Sequence, residues 1–292
     1  MADSREASQP RSLPFAKAHA LGNDFLLFEE ASIKGIPPGE LAVRACDRHS
    51  GVGADGIVVL GPSKDADATF RIYNSDGSEA SLSGNALRCA ATWMLSRAAK
   101  IAERIRLETR VGLRDLYFVT RDANGWVFRA EVGRPLFHAA DVPFTPPQPA
   151  AEPIQNFALP VGDVTVPVTV LNIGNQQCIV FVEEWERSNW QALGADIERH
   201  PYFPDRTNVG FVRILGEDCL EARFWERGAG HTLASGTGSC ACVVAAHLAG
   251  RTGRRVTVRV KRGEAKVCWR EDGMVELTGP AEIVAEGNYL CT

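Results

Sequence analysis

Two short segments of the chain carry the same chemistry. Leu82-Ser83-Gly84-Asn85-Ala86 and Ala234-Ser235-Gly236-Thr237-Gly238 each place Ser-Gly at the head of a run rich in Ala, Cys and Val. A Ser-Gly turn at a helix start offers free backbone N–H groups and the positive end of the helix dipole, and that combination binds carboxylate or phosphate. Two facing copies would hold one carboxylate from both sides and put the side chains of residues 83 and 235 on opposite faces of the bound molecule. Opposed acid and base across one carbon is the arrangement a racemase or epimerase needs: one group removes the α-proton, and the other returns a proton to the opposite face. For either turn alone a simple N-cap is the better explanation; the pair, with the loops around it, favours an active site lying between the two.

Those loops are rich in Asn and Gly: Gly22-Asn23-Asp24-Phe25, Tyr73-Asn74-Ser75-Asp76-Gly77, Gly174-Asn175 and Thr207-Asn208-Val209-Gly210. Most follow an apolar strand, where Asn and Gly ordinarily make turns. Trp225-Glu226-Arg227-Gly228-Ala229-Gly230 adds adjacent opposite charges that suit an ammonium and a carboxylate on one ligand, against the plainer reading of a solvated ion pair.

The elements that must position these residues are legible in outline. Alternating patterns predict strands at Val164–Val170, Phe70–Tyr73, Ile57–Leu60, Ile179–Val182, Val256–Val260 and Val275–Leu277. Pro167 places its strand at an edge. Helices are expected at Glu40–Arg48, Gly84–Ala99 and Gly236–Gly250, with a surface helix over Ser188–His200. Sheets wrapped around buried helices follow. The proline-dense stretch from Phe137 to Pro153 reads as a connector near the middle of the chain. The two Ser-Gly helices fall on either side of it, which suggests two related halves.

Composition sets the limits. Of 292 residues, 45% are apolar and 23% charged, the balance of a soluble globular protein. A net charge of -4 argues against nucleic acid. No apolar run approaches a membrane span. Residues 1–14 are polar, lack the apolar core of a signal peptide and read as a disordered tail. The eight cysteines show no C-x-x-C pair and no metal-type cluster, so neither metal nor disulfide is expected; free thiols in a cytoplasmic protein are the plain reading.

In their order and spacing the motifs are similar to those of the diaminopimelate epimerase family, from about Phe15 to Leu290. The matching segments are Leu21-Gly-Asn-Asp-Phe25, Asp47-Arg-His-Ser-Gly-Val-Gly-Ala-Asp-Gly56, Asn74-Ser-Asp-Gly77, Gly84-Asn85, Arg88-Cys89, Gly174-Asn175, Asn208-Val-Gly-Phe211, Glu226-Arg-Gly-Ala-Gly230 and Gly236-Thr-Gly238. The resemblance implies an α+β fold of two pseudo-symmetric halves, each a curved, mostly antiparallel sheet or barrel wrapped around a central helix. It places the halves at residues 15–127 and 128–280, with 281–292 returning to the first. It implies a cofactor-independent proton transfer at the α-carbon of LL- or meso-diaminopimelate, a small-molecule substrate on the route to lysine and peptidoglycan, and leaves a homodimer open. Asn23, Asn74, Asn175 and Asn208 would line the substrate. Glu226 and Arg227 would grip its distal amino and carboxylate groups, and Gly84-Asn85 and Gly236-Thr237 would bind the reacting carboxylate.

The departures fall on the chemistry. The family carries a catalytic cysteine immediately before each of those glycines, where this chain has Ser83 and Ser235, and usually a His where this chain has Gln177. A thiol has a pKa near about 8.5 and is easily lowered at a helix N-terminus; a hydroxyl is a far weaker acid and needs a neighbouring base. His231 lies four residues before Ser235, and His49 sits in another motif loop. Cys89 and Cys240 match helix-interior positions and read as core. Three readings stay open: an ordinary epimerase with both cysteines replaced, a natural variant working through serine, or a paralogue. A paralogue would racemise or isomerise another substrate, as relatives of proline racemase and the phenazine-pathway isomerase do, or would bind diaminopimelate with little or no turnover. Gln177, a third change, weighs against a simple double replacement.

Overall fold

A computed structural model describes residues 11–122, 125–148 and 150–291. The chain divides into two compact units. The first takes in the chain up to His19, Asp24–Asp115 and the segment from Ala281; the second takes in Ala20–Asn23 and Leu116–Pro280.

The elements of the first are β1 (Arg11–Ala20), β2 (Asn23–Glu29), α1 (Pro38–Cys46), β3 (Gly56–Gly61), β4 (Ala68–Asn74), β5 (Glu79–Ala80), α2 (Gly84–Arg97), β6 (Arg104–Thr109) and β7 (Gly112–Asp122), the last continuing into the second unit. The second holds β8 (Gly125–Gly133), β9 (Phe157–Val161), β10 (Val164–Asn172), β11 (Gln176–Phe181), α3 (Trp190–Glu198), β12 (Asn208–Gly216), β13 (Cys219–Glu226), β14 (Gly230–Thr232), α4 (Gly236–Leu248), β15 (Arg255–Val260) and β16 (Gly263–Trp269). β17 (Val275–Cys291) starts in the second unit and ends in the first.

The internal repeat is explicit in the strand pairings. In the first unit β2 runs parallel to β3, β3 antiparallel to β4, and β4 pairs antiparallel with β5 and parallel with β6. In the second β11 runs parallel to β12, β12 antiparallel to β13, and β13 pairs antiparallel with β14 and parallel with β15. Each half is thus strand, helix, parallel strand, hairpin partner, short strand, long helix and returning strand. The long helix is α2 in one half and α4 in the other.

Those two helices are the most buried of the chain's described helices. α4 buries every residue from Gly238 to Ala246, as a helix apolar all round must. Its small side chains let strands approach closely. A Cβ at Gly210 on β12 would stand 2.9 Å from Cys242 Sγ and 2.9 Å from Ile179 Cδ1. α2 is buried continuously from Asn85 to Trp93, and Arg88 is 1% exposed. Separate apolar clusters form under α1 (Leu26, Phe28, Leu41, Ile57) and under α3 (Trp190, Ile197, Phe203, Phe211). Each such side chain contributes about 1.5–3 kcal/mol by leaving water.

Several local expectations change. Residues 1–10 of the expected tail lie outside the described residues, but Arg11–Pro14 belong to β1 and pair with Cys291, Leu290, Tyr289 and Asn288 of β17. β10 is not an edge strand: it lies between β9 and β11. Pro167 is tolerated because pairing with β11 begins only at Val168, while Pro167 faces Ala158 of β9. α3 is no simple surface helix; Trp190, Gly194, Ile197 and Glu198 are buried. The 137–153 connector has no regular strand or helix among its described residues, yet it and the residue after it send Val142, Phe144 and Ile154 into the second unit's core.

Candidate active site

In the second half, Ser235 is the N-cap of α4, extended at φ -130° and ψ 124°. Its Oγ accepts from the Gly238 N–H at 3.2 Å and donates to Glu226 Oε1 at 2.7 Å. Ser235 is 5% exposed. Glu226 ends β13, and the hairpin to β14 folds it back over the helix start. The hydroxyl therefore has a carboxylate as its hydrogen-bond acceptor, and Oε1 of Glu226 is engaged there. The N–H groups of Gly236 and Thr237 precede the first intrahelical bonds and have no acceptor within the helix.

The hairpin is held from behind. Glu198, at the end of α3, accepts from the Gly228 N–H at 3.0 Å and Trp225 Nε1 at 3.1 Å, with Arg206 Nη1 3.5 Å away. Burial pushes the Glu198 carboxyl up, but these donors and the Arg199 and Arg206 charges outweigh it and hold the pKa below its ordinary value. Asn208 supports the same turn: its Oδ1 accepts from the Arg227 N–H at 3.0 Å, and its Nδ2 donates to the Gln176 carbonyl at 2.9 Å. Arg227 Nη1 donates to the Asp205 carbonyl at 3.0 Å. Gln177 Nε2 donates to Asn175 Oδ1 at 2.7 Å and to Thr237 Oγ1 at 3.3 Å, which brings both residues to the start of α4. His231 lies instead with its ring edge-on to Trp190, 5.0 Å between centroids, and burial together with the Lys261 and Arg223 charges lowers its pKa.

In the first half, Ser83 is the N-cap of α2, extended at φ -144° and ψ 120°, and accepts from the Ala86 N–H at 3.3 Å. Within this half no described carboxylate or imidazole hydrogen-bonds its hydroxyl. Asn85 Oδ1 accepts from Arg88 Nη2 at 2.5 Å, two buried polar side chains closing on each other. A Cβ at Gly84 would meet nothing nearer than Arg88 Nη1 at 3.8 Å, so the helix start is open there. Asn74 stands at the end of β4 in a tight turn, donating from Nδ2 to Ser78 Oγ at 2.9 Å.

The Asp47–Gly56 motif is a clip. Asp47 Oδ1 accepts from the His49 and Ser50 N–H groups at 2.9 and 2.6 Å. Arg48 spans Asp24 and Asp55, at 2.7 and 2.8 Å from Nη2, and Lys17 reaches Asp24 at 3.1 Å. Burial raises the Asp24 pKa, yet hydrogen bonds from Arg48 and Lys17 prevail and leave it depressed. Asn23, just before it, opens β2.

The sequence reading missed Glu198, because a Glu near the end of an expected surface helix carries no mark of burial. It also missed the Ser235–Glu226 bond, which only the β13–β14 hairpin creates. Cys89 and Cys240 are core, as expected, both 0% exposed; burial pushes the Cys89 thiol up to about 12, far from reactive. Among the described residues no group of three or more His, Cys, Asp or Glu could hold a metal ion, and no helix is long and apolar enough to cross a membrane.

Comparison with known proteins places the chain. The family model described as diaminopimelate epimerase matches residues 15–135 and 169–284. A diaminopimelate epimerase of Pelotomaculum thermopropionicum is 43% identical over 280 residues, covering 94% of this chain and 98% of the relative. One from Heliobacterium modesticaldum is 41% identical over 281 residues, covering 94% and 99%. Among solved structures, a Bacillus anthracis phenazine biosynthesis protein of the PhzF family superposes with a TM-score of 0.68 over 96% of this chain and 99% of that one, at 16% identity, which speaks to the fold. With its two halves of one topology, each built around a Ser-Gly-capped helix, the chain belongs to the diaminopimelate epimerase family.

Proposed function

We propose that the protein epimerises LL-diaminopimelate to meso-diaminopimelate without a cofactor, and that Ser235 with Glu226 on one side and Ser83 on the other carry the protons. The observation that bears most weight is the 2.7 Å bond from Ser235 Oγ to Glu226. A hydroxyl becomes a base when a neighbour takes its proton as it takes another. In the forward step the α-proton passes to Ser235 Oγ while the Ser235 hydroxyl proton passes to Glu226. The C–H electron pair stays on the α-carbon and spreads into the carboxylate. Ser83 then gives its hydroxyl proton to the opposite face and is reprotonated by water, and the hydroxide so formed is neutralised by the proton that Glu226 releases to solvent, which resets both sides. The reverse direction exchanges the roles.

The helix N-termini at Gly84-Asn85 and Gly236-Thr237 hold the reacting carboxylate, where the helix dipole stabilises the charge as it develops. Asn23, Asn74, Asn175 and Asn208 line the substrate, and Arg227 takes the distal carboxylate, with Glu226 turned toward the distal amino group when it is not on Ser235. A homodimer in the cytoplasm completes the proposal; sedimentation at working concentration tests its assembly.

Proton NMR of diaminopimelate in D₂O is the direct test. Loss of the α-proton signal above background, with LL and meso forms interconverting, is the expected result. Bound ligand without any exchange would remove the enzymatic reading and leave a binding protein. That second reading is favoured by one observation: both serines serve as N-caps, a role complete without chemistry.

A further inference from the structure

We infer that Gln177 is a ligand-binding residue at the start of α4, where its side-chain carbonyl accepts an N–H of the substrate's α-ammonium. The inference rests on the amino-acid substrate proposed above and adds a contact that selects for it.

Gln177 lies on β11, opposite Leu171 of β10 and beside Asn208 of β12. It is 1% exposed. Its Nε2 is fixed between two acceptors, Asn175 Oδ1 and Thr237 Oγ1. The sense of the amide follows from Asn175, because the reverse sense would set Oε1 against Asn175 Oδ1, an acceptor only. The remaining atom, Oε1, is buried and has no donor among the described residues. A buried carbonyl without a donor is uncommon in a native protein and asks for a reason.

The reason is supplied by what stands next to it. Thr237 is the second residue of α4, and with Gly236 it presents N–H groups that the helix cannot satisfy. An anion at those N–H groups and a donor at the adjacent amide oxygen together describe an α-amino acid: carboxylate on the helix end, ammonium on Oε1. A keto acid offers the carboxylate but no donor. The amide has no proton to give or take near neutral pH, so Gln177 can only bind here. In this chain the position serves recognition rather than proton transfer.

Substitution separates the acceptor from the packing. Gln177→Met and Gln177→Glu both remove the Nε2 bonds to Asn175 and Thr237, but only the Glu variant keeps an acceptor oxygen. LL-diaminopimelate binding is measured by calorimetry on the parent and both variants, with thermal unfolding of each without ligand as the control for folding. The expected result is at least tenfold weaker binding by Gln177→Met than by Gln177→Glu. Within twofold, the two variants would overturn the inference and leave the substrate reading standing, since position 177 would then need only its shape. A parent that does not bind diaminopimelate at all overturns both.

Discussion

At the start of α4 the capping serine has a carboxylate 2.7 Å behind it, itself held on a hairpin that a buried glutamate pins. At the start of α2 the capping serine has, among the described residues of its own half, only the helix N–H it caps. Both helix starts follow one pattern, with the same cap, the same glycine and the same order of strands. The difference separates what a cap requires of a hydroxyl from what proton transfer would require. Capping needs only an oxygen near an N–H, whereas proton transfer needs a partner for the hydroxyl's own proton, and only the second half provides one locally.

The strongest way to break this contrast is to remove its cause. A thiol ionises without help, so the double variant Ser83→Cys/Ser235→Cys should make the two ends alike and raise epimerisation on the order of a thousandfold or more. Each pKa unit recovered contributes about 1.4 kcal/mol, and turnover of LL-diaminopimelate measures the gain. Next in size, Glu226→Gln should lower solvent exchange of the α-proton in the parent by about a hundredfold, the scale of a lost general base. In the double-cysteine protein the same change should matter much less, and an equal loss in both backgrounds would mean that Glu226 acts on the ligand and not on Ser235.

Smaller effects test the helix starts themselves. Gly238 and Ala86 occupy matching third positions. A methyl at Gly238 would stand 2.8 Å from the Phe224 ring and 2.9 Å from Ser235 Cβ, so Gly238→Ala should destabilise by about 1–3 kcal/mol through overpacking. Ala86→Gly should cost about 1–2 kcal/mol, from backbone entropy and the loss of a buried methyl. Ser83→Ala should cost about 1 kcal/mol as a lost cap, and Ser235→Ala more, because Glu226 then loses a donor. Urea unfolding ranks all four.

The smallest expected effect is in acid. Asp24 and Glu198 are both held below their ordinary pKa values of 3.8 and 4.5. The folded state therefore binds fewer protons than the unfolded chain, and the stability these groups contribute is present above those values and lost as pH falls through the depressed ones. Asp24→Asn should flatten the acid limb of a stability–pH curve for the first half, and Glu198→Gln that for the second.

Much of this arrangement was readable in the residues. The two helix starts were placed to the residue, since Ser-Gly followed by small apolar residues leaves no other local choice, and the predicted strands all formed. What stayed hidden depended on contacts distant in sequence or on burial. Arg11–Pro14 look like tail because their composition is polar; their partners are the last residues of β17. Glu198 looks like surface because nothing local marks a buried carboxylate. Gln177 was visible as a change of residue type, but its donorless oxygen exists only once Asn175 and Thr237 close on the other side of the amide. Asn74 and Asn208 are legible as turn residues, and the structure gives their amides turn-holding bonds, which stand beside the substrate-lining role proposed for them.

The pairing of β1 with β17 also bears on the order of assembly. The second unit is nearly continuous in sequence, but the first contains residues 281–291, which pair with Arg11–His19. During synthesis the earlier half must wait for this late segment before its sheet can close, while the later half already has almost all of its strands. The first half is then completed after the second, against the usual direction of vectorial folding, and the side of β1 that receives β17 stays open until residues 281–291 have been made.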